Sequence, residues 1–449
     1  MPDEIRVLAP NALLGYGFPL ESLRAGLRER PHVIGADGGS TDPGAYYLGA
    51  GTSFTGREAV KRDLRHLLAG AREVDAPLIV GSCGGAGGEP HLAWVHEIVR
   101  ELVAEAGVST RVALIHAEQD ASIVAAAQRA GKLSPLSGAP ELDDQTVGQC
   151  ARIVAQMGYE PINAALAGGA QVVLAGRACD VSVYAALPIA RGADIALSIH
   201  AAKIIECGAY CATPGSATDS IIAKICDEHF VLKATNPART VMAPSAAAHS
   251  LYEQQHPSRL VEPVGVVDVS GARFREQADG SLEVSGSRFT PAEHYTVKLE
   301  GARRVGFRAV SAAGIRDPFA ADNLEGCLEG ARARVEDAFG RPGEGTNYEI
   351  RPHVYGHKQN GSRKLVDADV CLVLDVIADT QEEASEICSL ARSTLLHHDY
   401  PGRISVGGNL ALLFSPHDVA WGPVYEFAIY HLWEIDDPLA PFPIEYVEL

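Results

Sequence analysis

In "APLIVGSCGGAGGEPHLAWVHEIVRELVAEAGVSTRVALIH", residues 76–116, two short runs rich in β-branched residues enclose a longer segment. The runs "APLIVG" and "RVALIH" are typical of buried strands, and the segment at 89–107 has the apolar spacing of a helix. A strand, a helix and a second strand in this order predict two parallel strands with a covering helix.

The same alternation of short and long segments continues through the first 230 residues. Further strand candidates are "IRVLAP", "HVIGAD" and "QVVLAG". Further helix candidates lie at 57–70, 118–131, 146–158, 161–169 and 182–191. We therefore predict an α/β fold whose N-terminal domain, residues 1–240, is built on an open, mostly parallel sheet.

The character of the chain changes from about residue 240. Pro-rich stretches appear, and residues 266–289 alternate with period 2 around an Asp-Gly pair, the signal of a β-hairpin. Later, a strand precedes an amphipathic helix that begins near Thr380, with Glu383 placed as in a capping box. We therefore predict a second, smaller domain of mixed α+β structure at 241–449.

Charge limits what the chain binds. Its 449 residues carry a formal net charge of −19 and contain no run of five or six like charges. Nucleic acids and anionic membranes are bound by concentrated basic surfaces. We therefore predict a small-molecule ligand, with neither nucleic acid nor membrane as a partner.

The cysteines and the absence of long apolar runs indicate the compartment. The nine cysteines are an odd, scattered set, unlike a secreted disulfide framework. The N-terminus has no basic leader, and no uncharged apolar run approaches the roughly 18 residues of a membrane span. We expect a cytoplasmic protein with reduced thiols.

Ligands of open α/β sheets bind beyond the carboxyl ends of the strands. The residues that follow the predicted strands are therefore candidates for a site. They include Asp37, Ser40 and Asp42, then Cys83 and His91, then His116, Glu118 and Asp120, and finally Arg177, Cys179 and Asp180.

The "GSCGGAGG" loop, residues 81–88, precedes a predicted helix. Glycines allow close backbone approach, and the start of a helix attracts anions. We predict that Gly81, Ser82, Cys83, Gly84 and Gly85 bind an anionic group of the substrate, with a structural glycine turn as the alternative. The loop matches neither a P-loop nor a dinucleotide-binding fingerprint, so the sequence specifies no cofactor.

Two charged residues at strand ends have a functional and a structural interpretation. Arg177 suits two parallel hydrogen bonds to a carboxylate, or else forms an ion pair with Asp180, itself a candidate for substrate binding. Asp37 acts as an acid or base, or else caps the glycine-rich turn that follows it.

The segment "LSIHAAKIIECGAYCATPGS", residues 197–216, concentrates polar side chains near a predicted helix end. Helical spacing places His200, Lys203, Cys207 and Cys211 along one face, and Glu206 lies within ion-pair distance of Lys203. A thiol beside Lys203 and His200 is predicted to have a lowered pKa and to act as a nucleophile or proton donor, unless it is only a buried thiol. The spacing of the two cysteines does not favour a metal, and we predict none.

Four blocks of the sequence together resemble a known family. They are "VIGADGGSTDPGAYYLGAG", "LIVGSCGGAGG", "VLAGRACDVSVYAALPI" and "AAKIIECGAYCATPG". In this order they resemble the signature blocks of the acyclic terpene utilisation (AtuA-like) family, and "GFRAVSAAGIRDP" and "LLFSPHDVAWGPVYEF" look like its C-terminal part.

The resemblance implies a catabolic protein of branched-acid and terpenoid breakdown, encoded near biotin-dependent acyl-CoA carboxylases. It also implies a small partner subunit of about a hundred residues, because some relatives carry such a domain or partner. The family's reaction is mostly unassigned. We further expect a homo-oligomer.

Three functions remain open from the sequence. The first is a lyase of the hydratase or dehydratase type acting on a small carboxylate or acyl-CoA, with Arg177, Asp180 and Lys203 at the substrate. Proton transfer is assigned to Asp37, Glu206 or Cys207. The second function is an acyl transferase or hydrolase with Cys207 as covalent nucleophile. The third is a non-catalytic subunit of a catabolic complex.

Overall fold

The structure is a computed structural model that describes residues 4–140, 142–254, 256–356, 370–404 and 407–449. The helices are α1 (Leu20–Arg28), α2 (Ala45–Ala50), α3 (Arg57–Val74), α4 (Glu89–Ala106), α5 (Ala121–Arg129), α6 (Asp144–Gln149), α7 (Glu160–Ala167), α8 (Asp180–Ala190), α9 (Ile195–Ile205), α10 (Ala243–Ser250), α11 (Pro318–Asp322), α12 (Leu324–Phe339) and α13 (Gln381–His397).

The strands alternate with these helices in the first half of the chain and dominate the second. They are β1 (Ile5–Ala9), β2 (Val33–Asp37), β3 (Leu78–Gly81), β4 (Arg111–Ile115), β5 (Leu133–Pro135), β6 (Cys150–Gln156), β7 (Val172–Ala175), β8 (Ala212–Thr213), β9 (Ile221–Ile225), β10 (His229–Ala234), β11 (Thr240–Val241), β12 (Arg259–Glu262), β13 (Gly265–Asp268), β14 (Arg273–Glu276), β15 (Leu282–Ser285), β16 (Arg288–Pro291), β17 (Thr296–Ile315), β18 (Tyr348–Tyr355), β19 (Val370–Ala378), β20 (Ala411–Leu412), β21 (Asp418–Glu434) and β22 (Ile444–Glu448).

A large mixed sheet positions the candidate site. Its strand order is β14-β15-β10-β9-β1-β2-β3-β7-β4-β22. Five neighbouring strands pair in parallel, and they are β1, β2, β3, β7 and β4. The strands on either side of this group, β9 and β22, pair antiparallel with it. The five predicted strands of the N-terminal domain are all confirmed, and so is the α/β class with a mostly parallel sheet in this region.

The parallel strands are buried on both faces. In β3, Leu78 and Val80 pack with α1, α3 and α4, whereas Ile79 packs with α7, α8 and α9 on the other face. Burying each such side chain contributes roughly 1.5–3 kcal/mol of hydrophobic free energy. This double coverage explains why the strands have continuous apolar runs and not alternating ones.

One predicted helix is wrong. The segment 146–158 forms only the last turn of α6 and then the strand β6, which pairs antiparallel with β17 between Lys298 and Arg303. Short apolar runs do not distinguish a strand from a helix by their spacing. The available partner strand, about 150 residues later in the chain, decided the structure of this segment.

The other local predictions agree with the structure. Helices α3, α4, α5, α7 and α8 lie at the remaining predicted positions. Strands β14 and β15 form the predicted hairpin, and the Thr380 side chain accepts a hydrogen bond from the Glu383 backbone N–H at the start of α13. No helix among the described residues combines the length and the apolarity needed to cross a bilayer.

The chain divides into two compact units, one of residues 1–303 with 427–449 and one of residues 304–426. In the second unit, the end of β17 pairs with β19, and β19 pairs with β18. Helices α12 and α13 bury one face of these strands. These limits differ from the boundary near residue 240, and the domain limits drawn from the sequence stay a prediction.

The loop between β3 and α4 contains residues with left-handed backbone, among them Gly84, Gly85 and Gly87. At Gly87, with φ of +67°, a Cβ atom would lie 2.1 Å from the backbone N of Arg177. The Arg177 N–H also donates to the Gly87 carbonyl at 3.0 Å. Two loops at neighbouring strand ends are therefore in direct backbone contact, and only glycine fits at this position.

We expect Gly87→Ala to destabilise the protein more than Gly107→Ala. Both positions have a left-handed backbone, which costs a non-glycine residue about 1–2 kcal/mol, but a Cβ at Gly107 would meet no atom within 4 Å. Thermal melting of the two variants measures the difference, because Gly107→Ala adds only backbone strain, whereas Gly87→Ala adds backbone strain and a steric clash. Equal melting temperatures would contradict the close packing of the two loops.

Candidate active site

A cavity of about 250 Å³ lies beyond the carboxyl ends of β1 and β2. The loop after β1, the start of α8 and the end of α9 complete its wall. The lining residues are Ala12, Leu13, Tyr16, Asp37, Gly39, Ser40, Asp42, Pro43, Phe54, Asp180, Glu206, Cys207, Tyr252 and Glu253. This is the edge of the sheet at which the sequence predicts ligand binding.

Asp37 is the last residue of β2 and is only 7% exposed. Its Oδ1 accepts a hydrogen bond from the Gly39 backbone N–H at 3.1 Å, which holds the carboxyl over the glycine turn. Burial and the nearby Asp180 raise the pKa of Asp37 well above its usual value, against the opposing effects of Gly39 and Arg177. Asp37 is therefore a carboxyl group whose ionisation is disfavoured.

Glu206 follows the last turn of α9 and is 4% exposed. Its Oε1 accepts a hydrogen bond from the Lys203 ammonium at 2.5 Å, but its Oε2 has no hydrogen-bond partner among the described residues. Burial raises the pKa of Glu206 to about 8, with Lys203 opposing and Asp180 assisting this shift. The ion pair predicted from the spacing of Lys203 and Glu206 is present.

Asp180 is the first residue of α8 and brings a third carboxyl group to the cavity. Its Oδ1 lies 3.9 Å from the Arg177 Nη1 and has no hydrogen-bond partner among the residues that the structure covers. Burial raises the pKa of Asp180, and the positive charges of Arg177 and Lys203 oppose that rise. The cavity thus holds three carboxyl groups that all resist ionisation.

Cys207 lines the cavity beside Glu206, but its thiol is not activated. Burial and the negative charge of Glu206 raise the pKa of Cys207, and the opposing effect of Lys203 is smaller. His200 supplies no positive charge, because burial lowers its pKa to about 3 and its ring is hydrogen-bonded to Ser250 and Ser287. The direction of the pKa shift is opposite to the one expected from the sequence.

Arg177 does not line the cavity, because its guanidinium is held elsewhere. Its Nε donates to Glu300 Oε2 at 2.8 Å, and its Nη1 donates to Ser82 Oγ at 3.1 Å. Arg177 and Glu300 are both almost completely buried. The Arg177–Asp180 ion pair that the sequence offered is present at 3.9 Å, and Glu300 is a closer partner that the sequence did not indicate. The binding of a substrate carboxylate by Arg177 stays a prediction.

Glu300 is a residue that sequence reasoning missed. It lies on β17, more than 120 residues after Arg177, and it also accepts hydrogen bonds from Thr41 and Lys298. Burial by itself would raise the pKa of Glu300, but Arg177 and Lys298 lower it to about 2. No local motif indicates such a partner, since only the pairing of β17 with β6 brings the two residues together.

The glycine-rich loop supports Asp37 and contributes no lining residue of its own from Gly81 to Gly85. Ser82 Oγ donates to the Ala178 carbonyl at 3.1 Å, and Cys83 is fully buried. A Cβ at Gly38 would lie 2.6 Å from the Ser82 carbonyl oxygen, so the turn after Asp37 rests directly on this loop. The predicted binding role of residues 81–85 stays a prediction, and their observed contacts are structural.

The start of α4, which the sequence offers to an anion, is in contact with a carboxylate of the protein itself. The Glu89 backbone N–H donates to Glu118 Oε2 at 2.7 Å. Glu118 in turn lies 3.3 Å from Arg152 Nη1. Glu118 therefore supplies one of the negative charges that favour a helix N-terminus.

The outer wall of the cavity contains aromatic rings that the sequence did not identify. Tyr16, Phe54 and Tyr252 line it, and the Tyr252 ring stacks on His249 with centroids 5.2 Å apart. The Lys203 ammonium lies 5.5 Å from the centroid of the Tyr252 ring. These rings come from three separate loops, and no periodic pattern connects them.

All nine cysteines are free thiols. Within the described ranges, no group of three or more His, Cys, Asp or Glu side chains is arranged to hold a metal ion.

The fold and the cavity define an α/β protein with a carboxyl-rich cavity at the end of a parallel sheet. The chain matches the family described as "Acyclic terpene utilisation family protein AtuA" over residues 58–408 and belongs to this family. Membership suggests a role in acyclic terpene catabolism. No curated protein and no solved structure gives a significant match.

We expect Glu300→Gln to lower the free energy of unfolding by about 3–5 kcal/mol, the usual cost of leaving a buried charge unpaired. Denaturant unfolding of the variant and the wild type at pH 7 measures this loss. The matched control is Glu448→Gln, which removes an exposed partner of Arg111. The control should unfold almost as the wild type does.

The same variant has a predicted pH dependence. Because the folded pKa of Glu300 is lowered to about 2, its charge stabilises the fold above the usual pKa of about 4.5. This contribution is lost as the pH falls from about 4.5 towards 2. The stability difference between Glu300→Gln and the wild type should therefore shrink over that range, and a constant difference would contradict the assignment.

Proposed function

We propose that the protein is a lyase of the hydratase or dehydratase type that acts beside the carbonyl of a small carboxylate or acyl thioester. The observation that carries this proposal is the meeting of Asp37, Asp180 and Glu206 at one strand-end cavity. Adding or removing water beside a carbonyl requires one group that takes a proton and one that gives a proton. Neighbouring carboxyl groups supply both the acid and the base when one of them is ionised and the other carries a proton.

The contacts distinguish the two roles. Lys203 binds Glu206 directly, so among the three carboxyl groups Glu206 is the one with an ammonium group to stabilise its ionised form. We assign Glu206 as the base that removes the proton from the carbon beside the carbonyl. Asp37 has no such cation and its pKa is raised, so we assign it as the acid.

The proposed dehydration balances as follows. Glu206 takes the proton on the carbon next to the carbonyl, and the electrons of that C–H bond form the carbon–carbon double bond. The C–O bond to the hydroxyl group breaks, and Asp37 donates its proton so that water leaves. Hydration is the reverse, with each carboxyl group in the opposite protonation state.

Family membership suggests a role in acyclic terpene catabolism, and the proposed substrate carries a branched acyl chain of that kind. Leu13, Tyr16 and Phe54 offer the apolar surface that such a chain requires. The cytoplasmic location, the homo-oligomer and the small partner subunit stay predictions from the sequence and the family resemblance.

The activity test uses 3-hydroxy-3-methylbutanoate and its N-acetylcysteamine thioester with purified protein. We expect formation of the conjugated product and, in D₂O, incorporation of deuterium beside the carbonyl. Asp37→Asn and Glu206→Gln should each lower kcat by about 10²-fold or more, the usual contribution of an acid or base. Glu160→Gln is the matched control, because Glu160 is a half-buried acid that accepts a hydrogen bond from Tyr295 away from the cavity.

The pH profile tests the assigned base. Glu206 must be ionised to act, and its pKa is about 8, so kcat/KM should rise with pH, reach half of its maximum near pH 8 and level off above that pH. Lys203→Met removes the opposing charge and should move this rise to higher pH. An unmoved profile in Lys203→Met, or full activity of both carboxyl variants with deuterium still incorporated, would overturn these assignments.

The position of Cys207 in the wall keeps a covalent acyl transferase or hydrolase as a second candidate. The raised pKa of Cys207 weighs against this candidate, because only the thiolate attacks. We expect iodoacetamide at pH 7.5 to label Cys207 no faster than the half-buried Cys226 and Cys371. Peptide mass spectrometry over time measures the order, and fast, selective labelling of Cys207 would favour the covalent mechanism.

A further inference from the structure

We propose that the cavity admits the acyl group of its substrate only in an uncharged form, as a thioester and not as a free carboxylate. The inference rests on the proposed function, because it names the substrate class for the same site. It is carried by the charges that line the cavity and by the contacts that hold the nearby cations.

All ionisable carboxyl and amine side chains that line the cavity among the described residues are acidic. They are Asp37, Asp42, Asp180, Glu206 and Glu253. No lysine or arginine of the described part of the chain is in the lining. A substrate carboxylate would therefore meet no cation in the lining, and each of these acids that ionises would repel it.

The two cations behind this wall are already paired. Arg177 is bound to Glu300 and Ser82. Lys203 donates to Glu206 and lies over the Tyr252 ring. Neither is free to neutralise an incoming carboxylate without leaving a buried carboxylate of the protein unpaired, which is itself costly.

An uncharged carbonyl fits the polar atoms that remain. Glu206 Oε2 and Asp180 Oδ1 are buried and have no hydrogen-bond partner in the described structure. The Asp180 carboxyl group, whose pKa is raised, can donate a hydrogen bond to a thioester carbonyl, whereas a carboxylate at the same place would be repelled whenever Glu206 ionises to act as the base. Leu13, Pro43 and Phe54 present apolar surface to the hydrocarbon part.

The test compares two probes that differ only in the charged group, 3-methylbut-2-enoate and its N-acetylcysteamine thioester. Isothermal titration calorimetry measures binding to the full-length protein, so the result does not depend on turnover. We expect the thioester to bind at least tenfold more tightly at pH 7. The affinity for the acid should fall about tenfold per pH unit between pH 6 and 8, because only its shrinking neutral fraction binds.

Charge removal at the rim tests the cause. In the double variant Asp42→Asn/Glu253→Gln, the affinity for the acid relative to that for the thioester should rise several-fold. Glu73→Gln is the control, since it removes an exposed charge of α3 outside the cavity and should leave the ratio unchanged. Circular dichroism of the variants verifies that they are folded.

Several outcomes would overturn the inference: pH-independent binding of the acid as tight as that of the thioester, an unchanged ratio in the double variant, or binding of neither probe. The proposed function fails by a different result, the absence of product and deuterium incorporation with a thioester that does bind. The two failures are therefore distinguishable.

Discussion

The buried ion pair between Arg177 and Glu300 is the interaction on which the candidate site depends. Taking two charges out of water costs several kcal/mol for each ion, so the pair must be satisfied by further contacts. Thr41, Lys298 and Ser82 supply them. Arg177 follows the strand β7, and its backbone is in contact with the loop that supports Asp37. The position of that carboxyl group thus depends on how the pair is held.

The charge balance of this region explains its chemistry. Arg177 and Lys203 are each paired with one glutamate, which leaves Asp37 and Asp180 without a close cationic hydrogen-bond donor. Burial then raises the pKa values of these carboxyl groups, because water is not available to stabilise their charges. Such burial opposes folding locally, and carboxyl groups with raised pKa values are common at functional sites. The covered parallel sheet around it supplies the compensating stability.

Local sequence signals predicted much of the fold. Each parallel strand was visible as a short β-branched run, and the Asp-Gly hairpin and the Thr380 cap followed from turn and capping chemistry. The helix predicted at 146–158 is wrong because a distant strand, β17, determines the structure of this segment. The pairing of Glu300 with Arg177 could not be predicted for a similar reason, because the two residues are far apart in the sequence. Spacing also placed Lys203 beside Glu206, since residues three apart meet on a helix.

The sequence by itself determined the class of fold, the edge of the sheet that carries the cavity, and most of the acidic residues in it. Tertiary structure alone decided which cation pairs with which acid, and therefore that Arg177 is bound to Glu300 and that the Cys207 thiol has a raised pKa. The physical reason is range. Strand, cap and turn signals act over a few residues, whereas burial and Coulomb interactions depend on side chains that only the folded chain brings together.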